Sequence, residues 1–400
     1  MDAYLSILLD HPPSIRYFEL SIPLPKLTGL WDATSDEERI RLQWSTPAGR
    51  ERALFCNIIR DALEEDGQHR RRRCFPLTKL DYHLGLCALQ GGVWEAAGEA
   101  HSFATDELSV KPGPGNAIIV WASHIDYWKR TMETSCRLSQ QYLSSPLLAA
   151  AGSSPEAETD DQTDDEAEAA CSDDRFSPYT LLLWHMAALK MHAPIPILQA
   201  SASLQRLSPA PVSLRNYDLG ARIRAWMKTP CARKSCWYSA QISRVVNREA
   251  AAAAAATADT ATVTPAQALR ARARQLLLSP LANHSMFLAA IVASSYAFYA
   301  TSCSVCGMLE LHPEMTATAA AAAAAAAATP VVDLYMADED DAGLQAWFQA
   351  ETGHSVWGPE QIPMCRCSFD GLTAWLREAL AGDRTLELAF VAYTEKLRSG

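Results

Sequence analysis

Between Glu156 and Asp174, ten of nineteen residues are Asp or Glu and none is Lys or Arg. A segment this self-repelling, with no large apolar side chain, cannot offset its own conformational entropy by burial. Any core must therefore come from the sequence on either side. Residues 151–175 are expected to be an acidic disordered linker between a first helical part, 1–150, and a second, 176–400. The tract also relocates the net charge. The formal −11 falls to about −1 once its carboxylates are set aside, so neither part carries the basic footprint of a DNA-binding domain. Two alanine runs, 250–256 and 319–328, interrupt the second part. Lacking a polar/apolar period, they specify no packing face and are expected as inserts in connections between helices.

Outside these segments the apolar residues recur at helical spacing. Arg50 to Glu65 places Leu54, Ile58, Ile59 and Leu63 on one face. Leu77 to Trp94 does the same with Leu80, Leu84, Cys87 and Ala88, and Gly91-Gly92 is expected to weaken that helix. Asn116 to Tyr142 is long and amphipathic, carrying Ile119, Trp121, Trp128 and Leu138. Ser177-Pro178 and Thr229-Pro230 each put a capping residue before a first-turn proline, predicting helices to His192 and through Asn247. Leu372 to Leu380 and Leu386 to Leu397 give two closing helices. Period-two alternation and Asn-Gly hairpin turns are missing. The predicted fold is all-α, an irregular multi-helix domain with low-complexity inserts.

The N-terminus lacks the basic start and long apolar run of an export signal. Eleven scattered cysteines, Cys56, Cys87 and Cys136 among them, suit reduced buried thiols rather than a disulfide framework. Asn283-His284-Ser285 matches a glycosylation sequon but has no export signal to make it matter. Ser285 to Leu309 is uncharged and long enough to span a bilayer. Ser294, Ser295, Thr301, Ser302 and Ser304 within it and the lack of a basic flank favour a buried core helix instead.

Signatures of chemistry fail one by one. Cys303-x-x-Cys306 and Cys365-x-Cys367 are too far apart, and the second too tight, for an ordinary zinc knuckle. Cys231 and Cys236 are five apart, which does not put them on one helix face. Asp160-Asp161-x-x-Asp164 matches the magnesium motif of isoprenoid synthases literally, but it lies in the acidic tract with no apolar neighbours to build a rigid helix. No nucleophile elbow, phosphate-binding loop or His-Glu-x-x-His occurs, and Gly113-Pro114-Gly115 reads as a turn. His185 and His192, on a strongly apolar helix, read as core-edge histidines. The Arg70–Arg73 run reads equally as a nuclear import signal or phosphate contact, or as solvated surface. No catalytic, cofactor-binding or metal-binding residue is assigned.

One block is more specific. His11-Pro12-Pro13-Ser14-Ile15-Arg16-Tyr17 is followed by Ile22-Pro23-Leu24-Pro25, by Leu30-Trp31-Asp32-Ala33, and by Trp44 closing a short charged helix. It resembles the fungal-specific transcription factor domain (the middle homology region of xylanolytic-activator type), in members paired with C2H2 zinc fingers. Leu80 to Trp94, Cys231 to Gln241, His284 to Tyr299 and Leu372 to Leu397 resemble that family's helices more loosely. Physically, prolines 12, 13, 23 and 25 force an extended crossing segment, and Tyr17, Leu30 and Trp31 are expected to pin it to the helical core.

The resemblance implies a nuclear, non-enzymatic regulator of RNA polymerase II transcription. Its partners would be transcriptional co-regulators or a second copy, with no membrane involved. DNA contact and zinc would belong to an N-terminal finger whose Cys and His spacing these 400 residues lack. The acidic tract lacks the aromatic and leucine residues that activation segments interleave with acid, so it reads as a linker. The alternatives are an orphan protein-interaction scaffold, a helical small-molecule-binding protein, and an isoprenoid-synthase-like enzyme.

Overall fold

The structure, a computed structural model, describes residues 12–25, 33–45, 50–63, 77–103, 116–143, 177–203, 214–258, 280–300, 331–350, 353–381 and 383–399. Several sequence expectations lie outside them: Leu30 and Trp31, Arg70–Arg73, Gly113-Pro114-Gly115, the linker 151–175 with Asp160, Asp161 and Asp164, Cys303 and Cys306, and the alanine run 319–328. The side chains of Leu63, Cys136 and Leu138 lie outside them as well.

The fold is all-α, as expected. Twelve α-helices occur among the described residues: α1 (Asp36–Ser45), α2 (Phe55–Leu63), α3 (Lys79–Phe103), α4 (Asn116–Leu143), α5 (Pro178–His192), α6 (Ile195–Ser203), α7 (Leu214–Met227), α8 (Pro230–Ala258), α9 (Pro280–Tyr299), α10 (Ala342–Gln349), α11 (Phe369–Leu380) and α12 (Arg384–Ser399). The sequence did not announce a small three-stranded sheet. In it β1 (Val332–Asp333) pairs parallel with β2 (Ser355–Trp357), which pairs antiparallel with β3 (Ile362–Pro363). Strands of two or three residues are too short to display a period. Two compact units divide the chain, one from Met1–Glu95 and Ile119–Thr180, the other from Ala96–Ile118 and Leu181–Gly400.

In the first unit, α3 and α4 form an antiparallel pair in fixed register. Tyr82 Oη donates to the Thr131 carbonyl (3.1 Å), and Trp128 Nε1 donates to the Tyr82 carbonyl (3.0 Å). A Cβ at Gly85 would overlap the Trp128 indole, and one at Gly92 would overlap that of Trp121. Both pairs are seven residues apart, so each indole fills the notch left by one glycine. This corrects the expectation that Gly91-Gly92 weakens the helix, because α3 continues through them to Phe103. Ile119, expected on the packing face of α4, is exposed.

The proline-rich segment is the extended strap expected, with different anchors. Phe55 N donates to the Ile22 carbonyl (2.8 Å), Leu24 N donates to Ala53 (3.0 Å), and Pro23 forms an antiparallel bridge with Leu54. Leu24 is the buried anchor; Tyr17 is only half-buried in a 3-10 turn with no core residue. The bridge also explains why the helix expected from Arg50 begins only at Phe55. Leu54 is held extended, and Arg50–Arg52 form a separate 3-10 turn. Arg50 and Asp81, both buried, close this corner: Arg50 NH1 and NH2 meet Asp81 Oδ2 (2.8 Å) and Oδ1 (2.9 Å), and NH2 also reaches the Pro25 carbonyl (3.0 Å). The same carboxylate accepts from Thr78 N (2.7 Å) at the start of α3.

The second unit is built around α9, which touches α6, α7, α8, α11 and α12. Its composition and length are those of a membrane span, and so are those of α5 and α6 taken together across a 73° bend. Yet 78% of the apolar window of α9 is buried within the fold, which makes it a core helix. The bend falls at Pro194 and Pro196, which supply no backbone donor there. The alanine run 250–256, expected as an insert in a connection between helices, instead forms the last turns of α8. Alanine's helix propensity carries the helix onward.

Candidate functional site

The densest polar chemistry of the second unit lies on α8. Thr229 caps the helix, its Oγ1 accepting from Ala232 N (3.4 Å), and Pro230 opens the first turn. From there two opposed faces develop. On one face, Ser235, Ser239 and Ser243 return their hydroxyls to the carbonyls of Cys231 (2.7 Å), Ser235 (2.9 Å) and Ser239 (3.1 Å). The satisfied small side chains let α8 and α9 approach closely, with Ala282, Ala289, Ala290 and Ala293 buried on α9.

The other face is a ladder of donors one turn apart. Arg233 Nε donates to the Phe348 carbonyl (3.0 Å), and Trp237 Nε1 to that of Ala337 (3.0 Å). Gln241 Nε2 donates to Leu334 (2.8 Å) and Ala337 (3.3 Å), and Arg244 pairs with Asp338 (3.3 Å). All acceptors lie in residues 334–348, so α8 holds that irregular segment by its backbone. Phe348 sits in the last turn of α10, where carbonyls lack helical partners. The buried Arg233 therefore caps that helix and faces the negative end of its dipole, and Lys234 lies 5.9 Å from the Phe348 ring. Trp226 Nε1 serves α5 in the same way, donating to the His192 carbonyl (3.0 Å).

Beside the ladder is an aromatic cluster. Trp184 and Tyr238 pack edge to face (5.6 Å), Trp237 meets Phe348 (6.0 Å), and His192 stacks on Tyr238 (5.8 Å, 4° between planes). Burial, assisted by the charge of Lys234, pushes the His192 pKa down to about 3, so the ring is neutral at pH 7. Burial pushes up the thiols of Cys87, to about 12, and of Cys236 and Cys231, with Lys234 opposing the shift at Cys231. It likewise raises the phenols of Tyr296 and Tyr393. These groups are held in their neutral forms, and a thiol without a lowered pKa is a poor nucleophile.

His185 is buried and His192 lies at the core edge, which matches the reading of both as packing groups. Cys231 is half-buried and Cys236 fully buried, so they form no pair. Cys365 is buried and Cys367 exposed, dividing the Cys-x-Cys sequence between core and surface. Among the described residues, no three His, Cys, Asp or Glu side chains converge to hold a metal. The sequon is sterically closed, since Asn283 Nδ2 donates to Asp383 (3.3 Å) and Ser285 is buried. The sequence reading missed the ladder. Its one available signal was four donors at positions 233, 237, 241 and 244, a helical stripe that contrasts with the serines behind it.

The fold and this site define an all-α protein whose strongest polar contacts serve to hold its own backbone. Comparisons of the chain with protein-family models, curated proteins and solved structures find no match.

Proposed function

We propose that the chain is the regulatory body of a transcription factor of the fungal zinc-finger type, nuclear and non-catalytic, working through protein partners. DNA contact would be made by a finger that these 400 residues do not contain. The observation that carries the reading is the strap. The block that resembles the middle homology region is built as a structural element, with Ile22, Leu24 and Pro25 tied to Phe55, Ala53 and Arg50. Proline spacing dictates such a crossing segment, and the buried Arg50–Asp81 pair gives it a fixed seat. The neutral, inert state of the buried thiols and of His192 is also what a packing and regulatory role requires.

The test is direct. The full chain is fused to a heterologous DNA-binding domain and a reporter bearing that domain's site is read. The fusion is expected to raise or lower transcription relative to the DNA-binding domain alone. Reporter output equal to that of the bare domain overturns the proposal. Gel-shift binding of DNA by the unfused chain would contradict the division of labour.

A further inference from the structure

Arg233 on α8 is 4% exposed, and no carboxylate pairs with it among the described residues. Its Nε donates to the Phe348 carbonyl (3.0 Å), which leaves the two terminal nitrogens of the guanidinium fork unused. A cation taken out of water without a counter-charge is costly, and a single carbonyl offsets little of that cost. Burial accordingly pulls the Arg233 pKa down. Two further donors stand around it. Tyr296 on α9, 9% exposed, is close enough that Arg233 opposes the rise that burial imposes on its phenol, and its hydroxyl has no hydrogen-bond partner among the described residues. Trp347 on α10, 3% exposed, packs its ring 6.2 Å from that of Tyr296, and its Nε1 is buried with no acceptor. Gly353 lies against that edge of the indole. A Cβ there would stand 2.6 Å from Cδ1 and 3.1 Å from Nε1, so glycine keeps a side chain from covering the N–H.

Donors therefore outnumber acceptors: a guanidinium fork, a phenol and an indole N–H against one carbonyl. Positive charge with unused donors suits an anion, and the planar fork suits a carboxylate, which accepts two parallel bonds. The rings of Tyr296, Trp347 and Phe348 suit an aromatic body. We propose that Arg233, Tyr296 and Trp347 form a binding site for a small aromatic carboxylate, whose oxygens take the unused donors and whose ring lies against Trp347 and Phe348. The site goes beyond the regulatory reading and does not depend on it, because binding is read on the isolated full chain.

Benzoate is the probe, titrated calorimetrically into the full chain. It is expected to bind with a Kd of about 1 mM or below and to raise the melting temperature. Benzyl alcohol, which keeps the ring and lacks the charge, should bind roughly tenfold more weakly. Tyr296→Phe removes only an oxygen that bonds nothing in the free chain. Its ligand-free melting temperature should therefore hold, while benzoate affinity drops roughly tenfold. Arg233→Gln should abolish binding; where that variant fails to fold, Tyr296→Phe decides. No binding heat from benzoate up to about 10 mM overturns the proposal. Equal affinity for benzyl alcohol shows an apolar site only, and displacement of benzoate by equimolar chloride shows an inorganic-anion site only; each overturns the carboxylate. Unchanged benzoate affinity in Tyr296→Phe places the binding elsewhere. A lowered melting temperature of that variant shows that the hydroxyl is already partnered, and either result overturns the site.

Discussion

A single methyl group tests the first unit. Ala at Gly85 or Gly92 would drive Cβ into the ring of Trp128 or Trp121, so the indole must shift. Each substitution is expected to cost about 1–3 kcal/mol or more in urea unfolding. Gly98 lies further along the same helix with no atom near its Cβ position. Gly98→Ala should instead stabilise by roughly 0.5–1 kcal/mol through helix propensity. Equal effects at the three positions would refute the notch packing. His192 offers a second residue-scale test. Its pKa in the folded chain, about 3, lies below the ordinary value of 6.5, so the unfolded chain binds the extra proton between those limits. Its contribution to stability is complete above about pH 6.5 and is lost as pH falls toward 3, at up to about 1.4 kcal/mol per pH unit. His83, also lowered by burial, acts with the same sign. Urea melts of wild type and His192→Gln between pH 7 and 5 should converge as the pH falls. Parallel curves would mean that the ring is not desolvated.

Among the elements, the strap depends on one ion pair. Arg50 and Asp81 are buried together, so removing either alone strands a charge. Arg50→Leu and Asp81→Leu are each expected to cost about 3–5 kcal/mol. The double replacement should cost well below their sum, because it leaves no charge behind, although the cap at Thr78 is still lost. A double-mutant cycle in urea measures the difference, and additive costs would show that the pair is not coupled. The α8 ladder is another dependence of element on element. Residues 334–348 have few ladder bonds of their own and rely on Arg233, Trp237 and Gln241 to satisfy their carbonyls. Gln241→Ala should expose β1 and the turn after it to faster amide exchange while α11 and α12 remain protected.

At the scale of the whole molecule, the second unit hangs on α9. Its small residues are not a membrane-type seam but the reason five helices can crowd one axis. Ala290 is fully buried there, so Ala290→Leu adds volume where no void receives it. Thermal unfolding should report a loss of about 1–3 kcal/mol or more. An unchanged melting temperature would mean that α9 is not enclosed.

The sequence by itself determined the helical class, the starts of α5 and α8, the two closing helices, the core character of α9 and the extended strap. These follow from local rules: period, capping residues, proline geometry and the absence of charge. It placed His192 at the core edge, while His185, read the same way, is buried. Only the tertiary structure decided what long-range partners decide. Gly92 looked like a helix breaker because its neighbour, Trp121, is 29 positions away. Arg50 looked like the first residue of a helix because Pro23, which holds Leu54 extended, and Asp81, which binds Arg50, are distant in sequence. The carbonyls that Arg233 and Gln241 satisfy lie about a hundred residues further on, beyond any periodic signal. A local pattern records what a residue prefers; the partner that overrides or rewards that preference exists only after the chain has folded.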